Sequence, residues 1–423
     1  MRPQRFTANH PPPMSKKLVA QGLNGTLPRM WRNHDLRSHY DVVIIGGGAH
    51  GLACAYYLAH AHGIRNVAVL EKSYIGAGGS GRNTTIIRSN YLTPEGVRFY
   101  DESVQLYSEM SETLDFNVMF SQRGHLTLAH TDAAVRTMRR RAEVNRLQGV
   151  NSRLVFPDEI ARLCPQLDVS DQPRYPVLAA LYHPPGGVIR HDAVVWGYAH
   201  HADQDGVHIH QDTEVTGIRI KSNRVEGVET SRGFIGASVV LSATAGWSSI
   251  IAGMAGLRLP IVTSPLQACV TEPLKQFLDV VIVSGSLHVY VSQSDRGELV
   301  MGASVDPFSS YSTQGSLAFM EELSGHMLEL FPALSKVRVL RQWAGLCDMT
   351  PDYSPIMGFT PVEGFVIDAG WGTYGFKASP ICGKTMAELI ATNRTPPLIA
   401  PFRMSRFEEF DLVGEKGAAS VGH

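Results

Sequence analysis

An α/β fold is expected for this chain, with a dinucleotide-binding domain interleaved with a second domain of α+β type, and three stretches carry that expectation. The first runs from Asp41-Val42-Val43-Ile44-Ile45 into Gly46-Gly47-Gly48-Ala49-His50-Gly51, a short apolar strand, a glycine turn and then an apolar helical run to about Leu58. The second is the apolar run Val67 to Leu70, which ends on Glu71, an acid 20 residues beyond Gly51. The third lies near the other end of the chain, where Phe365-Val366-Ile367-Asp368-Ala369 leads into Gly370-Trp371-Gly372-Thr373-Tyr374-Gly375. Glycine turns that join a strand end to a helix mark places where backbone approaches a ligand.

Each residue type in the first stretch has a physical task if a dinucleotide binds. Gly46 makes the tight turn, Gly48 lets the backbone approach the pyrophosphate, and Gly51 lets helix and strand pack closely. The helix N-terminus offers unpaired N–H groups and a partial positive charge, and Glu71 stands where a carboxylate accepts ribose hydroxyls. Gly76-Ala77-Gly78-Gly79-Ser80-Gly81 follows, a loop too glycine-rich for helix or strand and suited to lying against a flat ligand. Arg82 to Tyr91 then places two arginines six residues apart in a segment otherwise poor in charge. Arg88 suits a carboxylate clamp, because a guanidinium holds a carboxylate through two parallel hydrogen bonds; pairing with a surface acid is the alternative.

Beyond Tyr91, residues 94 to 112 read as an amphipathic helix, Phe120 to Ala129 as a strand pair turning at Arg123-Gly124, and residues 131 to 148 as a charged helix whose solvated face carries no assigned function. Pro157 opens another helix. This block is expected to begin a second domain that covers the ligand and shapes a substrate cavity. Leu178 to Tyr182 is expected as a strand, Arg190-His191-Asp192 as the start of a helix to Ala202, and Val207–His210, Val215–Ile220, Val225–Thr230 and Val239–Leu241 as further strands. The last runs into Ser242-Ala243-Thr244-Ala245-Gly246-Trp247, which suits the far side of a dinucleotide crevice. A helix is expected from about Pro380 to Thr392, and Lys377 just before it is read as a partner of Arg88 rather than a solvated cation. The expected division is an N-terminal arm (1–38), a dinucleotide domain in three parts (39–118, 178–256, 346–400), a substrate domain in two (119–177, 257–345) and a tail (401–423).

Bulk properties exclude several classes. With 38 basic and 39 acidic residues there is no broad attraction to nucleic acid or to an anionic membrane. Five scattered cysteines without a C-x-x-C pair argue against a disulfide framework or a metal site. No apolar run reaches the ~18 residues that cross a bilayer, so a soluble, cytoplasmic protein is expected. The basic arm, with Pro11-Pro12-Pro13 and no acid before Asp35, reads as a segment that drapes over a partner.

With these pieces in place, the chain resembles the beta subunits of heterotetrameric sarcosine oxidases, within the flavin-dependent amine and amino-acid oxidases. The strings that carry the resemblance are YDVVIIGGGAHGLACAYYLA, NVAVLEK, RNTTIIRSNY, FSQRGHLTLAH, IRHDAVVWGYA, HVYVSQ with GELVMGA, GWGTYGFK and the terminal GAASVGH. The first is common to the wider family; RNTTIIRSNY and GAASVGH are far narrower. The resemblance implies an FAD-binding Rossmann-like domain of glutathione-reductase type beside a substrate domain with a mixed sheet. It implies FAD contacts from Gly46, Gly48, Gly51, Glu71, Lys72, Gly79, Ser80, Arg82, Asn83, Thr84, Val215, Ala245, Gly246, Gly370, Gly372, Thr373, Gly375, Phe376 and Lys377.

It also implies that Arg88 and Lys377 bind the sarcosine carboxylate and that His191 carries FMN covalently. Sequence alone would read His191 as a helix-start or surface residue. Single-subunit relatives attach FAD to a cysteine at the place of Gly345, two residues from Cys347, so FAD is expected to be non-covalent here. They place an oxygen-activating lysine at the position of Val300, so the FAD is expected to react poorly with oxygen. The implied reaction is oxidative demethylation to glycine: hydride passes from the N-methyl group to FAD, electrons pass to FMN and oxygen with hydrogen peroxide formed, and the carbon leaves as formaldehyde or goes to tetrahydrofolate on the large partner. Implied partners are alpha, gamma and delta subunits. Tyr374 stands where those beta subunits carry glycine, which points to another N-methyl or cyclic amine as a possible substrate. Two other readings compete: a stand-alone FAD dehydrogenase of proline, glycine or another amino acid without FMN, and a non-catalytic flavin-binding assembly subunit.

Overall fold

The computed structural model describes residues 30–416, and their backbone builds two eight-stranded sheets and a two-stranded ribbon. In the first sheet Phe365–Ala369, Gly233–Ser242, His39–Ile45, Val67–Leu70 and His208–His210 lie side by side and parallel. Ile356–Phe359 closes one edge antiparallel, and the hairpin of Val215–Lys221 and Arg224–Thr230 hangs antiparallel from Gly233–Ser242. Val42 to Ile45 are all buried, as a continuous apolar run must be when both faces of a parallel strand are covered. Helix Ala49–His60 covers one face and packs against Gly375–Thr392 and His191–Gln204. A Cβ on Gly383 would lie 2.4 Å from that of Ala53, so the first and last helices cross at a contact only glycine allows.

The second sheet has the order Val339–Met349, Val262–Pro273, Glu298–Val305, Val289–Gln293, Val281–Ser284, His125–Ala129, Ala179–His183, Arg153–Val155. It is mixed, because Val281–Ser284 pairs parallel with His125–Ala129 while its other pairs are antiparallel. Helix Leu317–Leu330 buries Phe319, Leu323, Met327 and Leu330 against one face. Leu266, Ala268, Val283 and Tyr290 of this sheet line the main cavity, which the second sheet thereby roofs.

Several expectations change. Ala179–His183 pairs with His125–Ala129 in the second sheet, so the boundary at 178 falls one strand too early; Val339–Met349 likewise runs straight through the boundary at 345/346. The first half of Phe120–Ala129 forms no strand: Ser121 makes one bridge to Val188, and Gly124 turns at φ +99, where a Cβ would meet the Tyr182 ring at 2.7 Å. The last helix starts at Gly375, with Pro380 inside it. Proline there removes a hydrogen bond to the Phe376 carbonyl, but that carbonyl accepts from Tyr107 Oη at 2.5 Å and Ser379 Oγ at 2.6 Å instead.

Within the described part of the arm, Arg32 and His34 both pair with Asp203, at 2.9 and 2.8 Å, and His34 stacks on His208 with centroids 4.0 Å apart. Residues 1–29 and the terminal GAASVGH lie outside the described residues. Among the described residues no helix is long and apolar enough to cross a membrane.

Candidate flavin and carboxylate site

One cavity of about 570 Å³ runs between the two sheets, lined at one end by Glu71 and at the other by Arg88 and Lys377. At the nucleotide end the three motif glycines divide their tasks. Gly46, at φ +111, would bring a Cβ to 2.4 Å from the Ala243 carbonyl oxygen, and a Cβ on Gly51 would lie 2.1 Å from the Gly46 carbonyl oxygen. Both serve close packing. Gly48 faces the cavity, where a Cβ would meet only Ser80 Oγ at 3.1 Å. The Glu71 carboxylate is held by the N–H groups of Gly47 and Ser73, each at 3.0 Å, and the Ala49 N–H donates to Ser80 Oγ at 2.9 Å. Across the cavity lie Val215, Ala245 and Gly246, with Lys72 Nζ 3.4 Å from the centroid of the Trp247 ring. The open backbone at Gly48, Gly78 and Gly79, the anchored acid and the helix N-terminus fit the dinucleotide half of an FAD.

A buried charge pair ties the two glycine-rich turns together. His50 Nδ1 lies 2.9 Å from Asp368 Oδ2 and Nε2 lies 2.8 Å from the Gly375 carbonyl oxygen, so acceptors face both nitrogens, an arrangement that favours the protonated ring. Burial opposes that charge, but Asp368 prevails and holds the pKa above its ordinary value. Trp371 Nε1 donates to the other Asp368 oxygen at 2.5 Å. Gly370, at φ +73, donates to Asp348 Oδ2 at 2.6 Å, and burial pushes the Asp348 carboxyl up to about 6.

At the other end Arg88 is 4% exposed. Its Nη1 donates to Asn90 Oδ1 at 3.0 Å, and its guanidinium sits 4.5 Å from the Tyr91 ring centroid. The neighbouring Ser89 N–H donates to His183 Nε2 at 3.2 Å, while His183 Nδ1 lies 2.8 Å from the Asn151 carbonyl. Burial lowers that histidine to about 3, which keeps it neutral. From helix Asp132–Leu147, Arg141 Nε donates to the Asn90 carbonyl at 2.5 Å and Asn145 Nδ2 to the Tyr91 carbonyl at 2.8 Å.

Lys377, in the first turn of the last helix, donates to the Thr373 carbonyl at 3.1 Å. Burial, and after it the charge of Arg88, brings its pKa down to about 7. The Tyr374 ring lines the cavity while its hydroxyl donates to the Glu415 carbonyl at 3.2 Å. The Glu415 carboxylate in turn accepts the N–H groups of Leu92 and Thr93, at 3.0 and 2.8 Å.

Of the residues expected to contact cofactor or substrate, Gly51, Gly370 and His191 do not line the cavity; the others do. Gly51 and Gly370 act through packing, the latter with its Cβ position 2.5 Å from Thr350 Cγ2. His191 begins its helix half-buried, and burial lowers its pKa. Gly345 and Cys347 both line the cavity, and burial pushes the Cys347 thiol up to about 12. Val300 does not line it. Sequence reasoning missed His50 with Asp368, His125, Glu415 and the inward pair Arg141 and Asn145. The spacing of four within a charged helix was the available signal for that pair, since i and i+4 share a face.

The chain matches the family model described as DAO, FAD dependent oxidoreductase, over residues 41–389. It is 48% identical to sarcosine oxidase subunit beta of Rhodobacter capsulatus over 93% of this chain and 95% of that protein, and 50% identical to the subunit of the same name from Rhizobium meliloti over 92% and 93%. Among solved structures, L-proline dehydrogenase from P. horikoshii superposes with a TM-score of 0.84 at 32% identity, covering 89% of this chain and 100% of that one. The glycine cradle, the anchored Glu71 and these similarities converge: the chain belongs to the DAO family of FAD-dependent oxidoreductases that act on amines, within the group that includes the sarcosine oxidase beta subunits.

Proposed function

We propose that this chain is the amine-oxidising subunit of a sarcosine oxidase-type complex and removes the methyl group of sarcosine or a related N-methyl amino acid. The observation that carries the reading is that buried Arg88 and half-buried Lys377 both stand on the wall of the cavity that Glu71 also lines. A carboxylate enters such a place only if cations await it. Bound FAD supplies the hydride acceptor. Arg88, oriented by Asn90 and Tyr91, and Lys377, oriented by the Thr373 carbonyl, fix the substrate carboxylate and so position the N-methyl carbon. The second sheet roofs the cavity through Leu266, Ala268, Val283 and Tyr290. In sum, sarcosine, O2 and H2O give glycine, formaldehyde and H2O2; tetrahydrofolate on a partner subunit is the alternative carbon acceptor.

His191 is the proposed attachment point of a second flavin, FMN. Its burial keeps the imidazole neutral and nucleophilic, and Arg190 occupies the adjacent Asp192 at 2.7 Å. Alpha, gamma and delta subunits complete the proposed complex. FAD is proposed to be non-covalent: the buried Cys347 remains a thiol, and the aligned attachment position is Gly345.

The test uses the complex co-expressed with its neighbouring subunits. After denaturation and removal of free flavin, a flavin-bearing peptide containing His191 is expected, along with releasable FAD. In anaerobic mixing, sarcosine should bleach the flavin of the parent and not of Arg88→Ala. A second reading draws on the 32% identity to an L-proline dehydrogenase: the chain oxidises a cyclic or primary amino acid without FMN. Turnover by the isolated chain with an artificial acceptor, together with no flavin on His191, would select it.

A further inference from the structure

His125 opens the strand His125–Ala129, and the sheet fixes where its side chain goes. Leu126 and Leu128 share a buried core with helix Leu317–Leu330, so strand alternation turns His125 to the opposite face, where it lines the main cavity together with Arg88 and Lys377. Its backbone is paired on both sides, with Val281 in one neighbouring strand and His183 in the other, and a Cβ on Gly186 would lie 2.7 Å from its own. The imidazole is therefore placed by the interior of a sheet and not by a loop.

Neither ring nitrogen of His125 has a hydrogen-bond partner. Among the described residues, no other side chain on the cavity wall has a buried polar atom left in that state. Its neighbours on the wall are engaged: Asp348 Oδ2 accepts the Gly370 N–H at 2.6 Å, Lys377 donates to the Thr373 carbonyl at 3.1 Å, and the Tyr374 hydroxyl donates to the Glu415 carbonyl at 3.2 Å. Burial first, then the fields of Arg88, His183, Arg141 and Lys377, hold the imidazole well below its ordinary pKa, so it is neutral and one nitrogen keeps its lone pair. Buried polar groups are normally satisfied, and a lone pair left open on a ligand cavity is satisfied by the ligand.

Amine oxidation supplies a donor that fits. Hydride leaves the carbon beside nitrogen only when the nitrogen lone pair is free to form the C=N bond, so the reacting amine is neutral. A neutral secondary amine then has one N–H to place, and a tertiary amine has none. As hydride departs the nitrogen becomes positive and its N–H a stronger donor, so an acceptor there favours the transition state over the bound substrate.

We propose that His125 accepts the N–H of the bound amine and thereby selects secondary amines, N-methyl and cyclic amino acids, over tertiary N,N-dimethyl ones. This rests on the reading of Arg88 and Lys377 as the carboxylate clamp, which fixes the other end of the same small molecule. The hydrogen stays on nitrogen throughout and leaves with the imine product.

The FAD-loaded holoenzyme is titrated with pyrrole-2-carboxylate and with furan-2-carboxylate, planar acids of one shape of which only the first carries an N–H, and binding is followed by the perturbation of the flavin absorbance. The pyrrole acid is expected to bind about tenfold more tightly. That difference should vanish in His125→Phe, whereas His125→Gln, which offers a carbonyl acceptor, should keep part of it. In anaerobic mixing, the ratio of flavin reduction rates for sarcosine over N,N-dimethylglycine should fall by about tenfold in His125→Phe, a change that a general loss of packing would not produce. Equal affinity for the two acids in the parent would overturn the proposal without any variant, and so would an affinity difference or a rate ratio that survives in His125→Phe. Should His125→Phe not fold, His125→Leu is read in the same way. Affinity for furan-2-carboxylate unchanged in Arg88→Met would instead refute the carboxylate clamp itself.

Discussion

A carboxylate bound beside Lys377, as proposed above, should be coupled to a proton. Burial holds the free amine near a pKa of about 7, whereas an ordinary lysine stands near ~10.4. An anion placed against it restores the charged form, so binding above pH 7 takes up one proton. For a carboxylate that lacks an amine of its own, affinity should be level below about pH 7 and weaken by up to about tenfold for each further pH unit. The ceiling is the whole displacement, about 5 kcal/mol at ~1.36 kcal/mol per unit, and is reached only if the complex restores the ordinary pKa. Titrating the holoenzyme with acetate from about pH 6 to about pH 9, with calorimetry in two buffers of different ionisation heat, measures both the slope and the proton. Lys377→Met should give weaker and pH-independent binding. A level affinity across that range in the parent, or the same slope in Lys377→Met, would refute the coupling. Stability carries the opposite sign. Between about pH 7 and about pH 10.4 the unfolded chain holds the extra proton, so stability contributed at this site rises with pH across that window and Lys377→Met is stabilising at its lower end.

Other perturbations have equally definite outcomes. Gly51→Ala forces a Cβ to within 2.1 Å of a backbone oxygen; a loss of about 1–3 kcal/mol and a lower flavin-to-protein ratio after gel filtration are expected. Arg406→Met strands the buried Asp352 carboxylate, now held at 2.8 and 3.0 Å, and should cost about 3–5 kcal/mol in urea unfolding. Because Asp352 also accepts the Val413 N–H and, through its carbonyl, the Glu415 N–H, limited proteolysis should cut that variant first near its C-terminus. Tyr374→Phe removes one hydrogen bond to the Glu415 carbonyl, costing about 1 kcal/mol with the order of preferred amines unchanged. Tyr374→Gly should change that order, measured as kcat/KM across N-methyl and cyclic amino acids.

Much of this architecture is legible in sequence because local chemistry dictates it. The apolar run Val42–Ile45 before a glycine turn, and Glu71 at the end of the next strand, need no tertiary knowledge to suggest a nucleotide cradle. The tight turn at Gly46 and the packing role of Gly51 are visible in the same way, whereas the contact of Gly46 with the Ala243 carbonyl appears only in the fold. What escapes is whatever depends on distant segments meeting. His50 reads as one polar residue in a glycine motif until Asp368 and the Gly375 carbonyl arrive from more than 300 residues away. Pro380 reads as a helix start because its lost hydrogen bond is compensated by Tyr107, on a helix far back in the chain. Arg141 reads as one solvated cation among several, and only the fold reveals which face of its helix turns inward. Ala179–His183 falls into the wrong domain because strand pairing, not alternation, decides which sheet a strand joins.

The same interleaving constrains how the molecule comes into being. His39–Ile45 finds its neighbour in Gly233–Ser242, which in turn waits for Phe365–Ala369, and the first helix receives Gly375–Thr392 as its cover. During N-to-C synthesis the glycine turn therefore emerges long before the walls that complete it. The central strand meanwhile exposes unpaired edges and apolar faces, the situation in which nascent chains aggregate or recruit chaperones. Pairings at such sequence separation make folding slow. Cofactor capture is consequently expected to come late, and a chain truncated before Lys377 should be degraded rather than fold as a smaller flavoprotein.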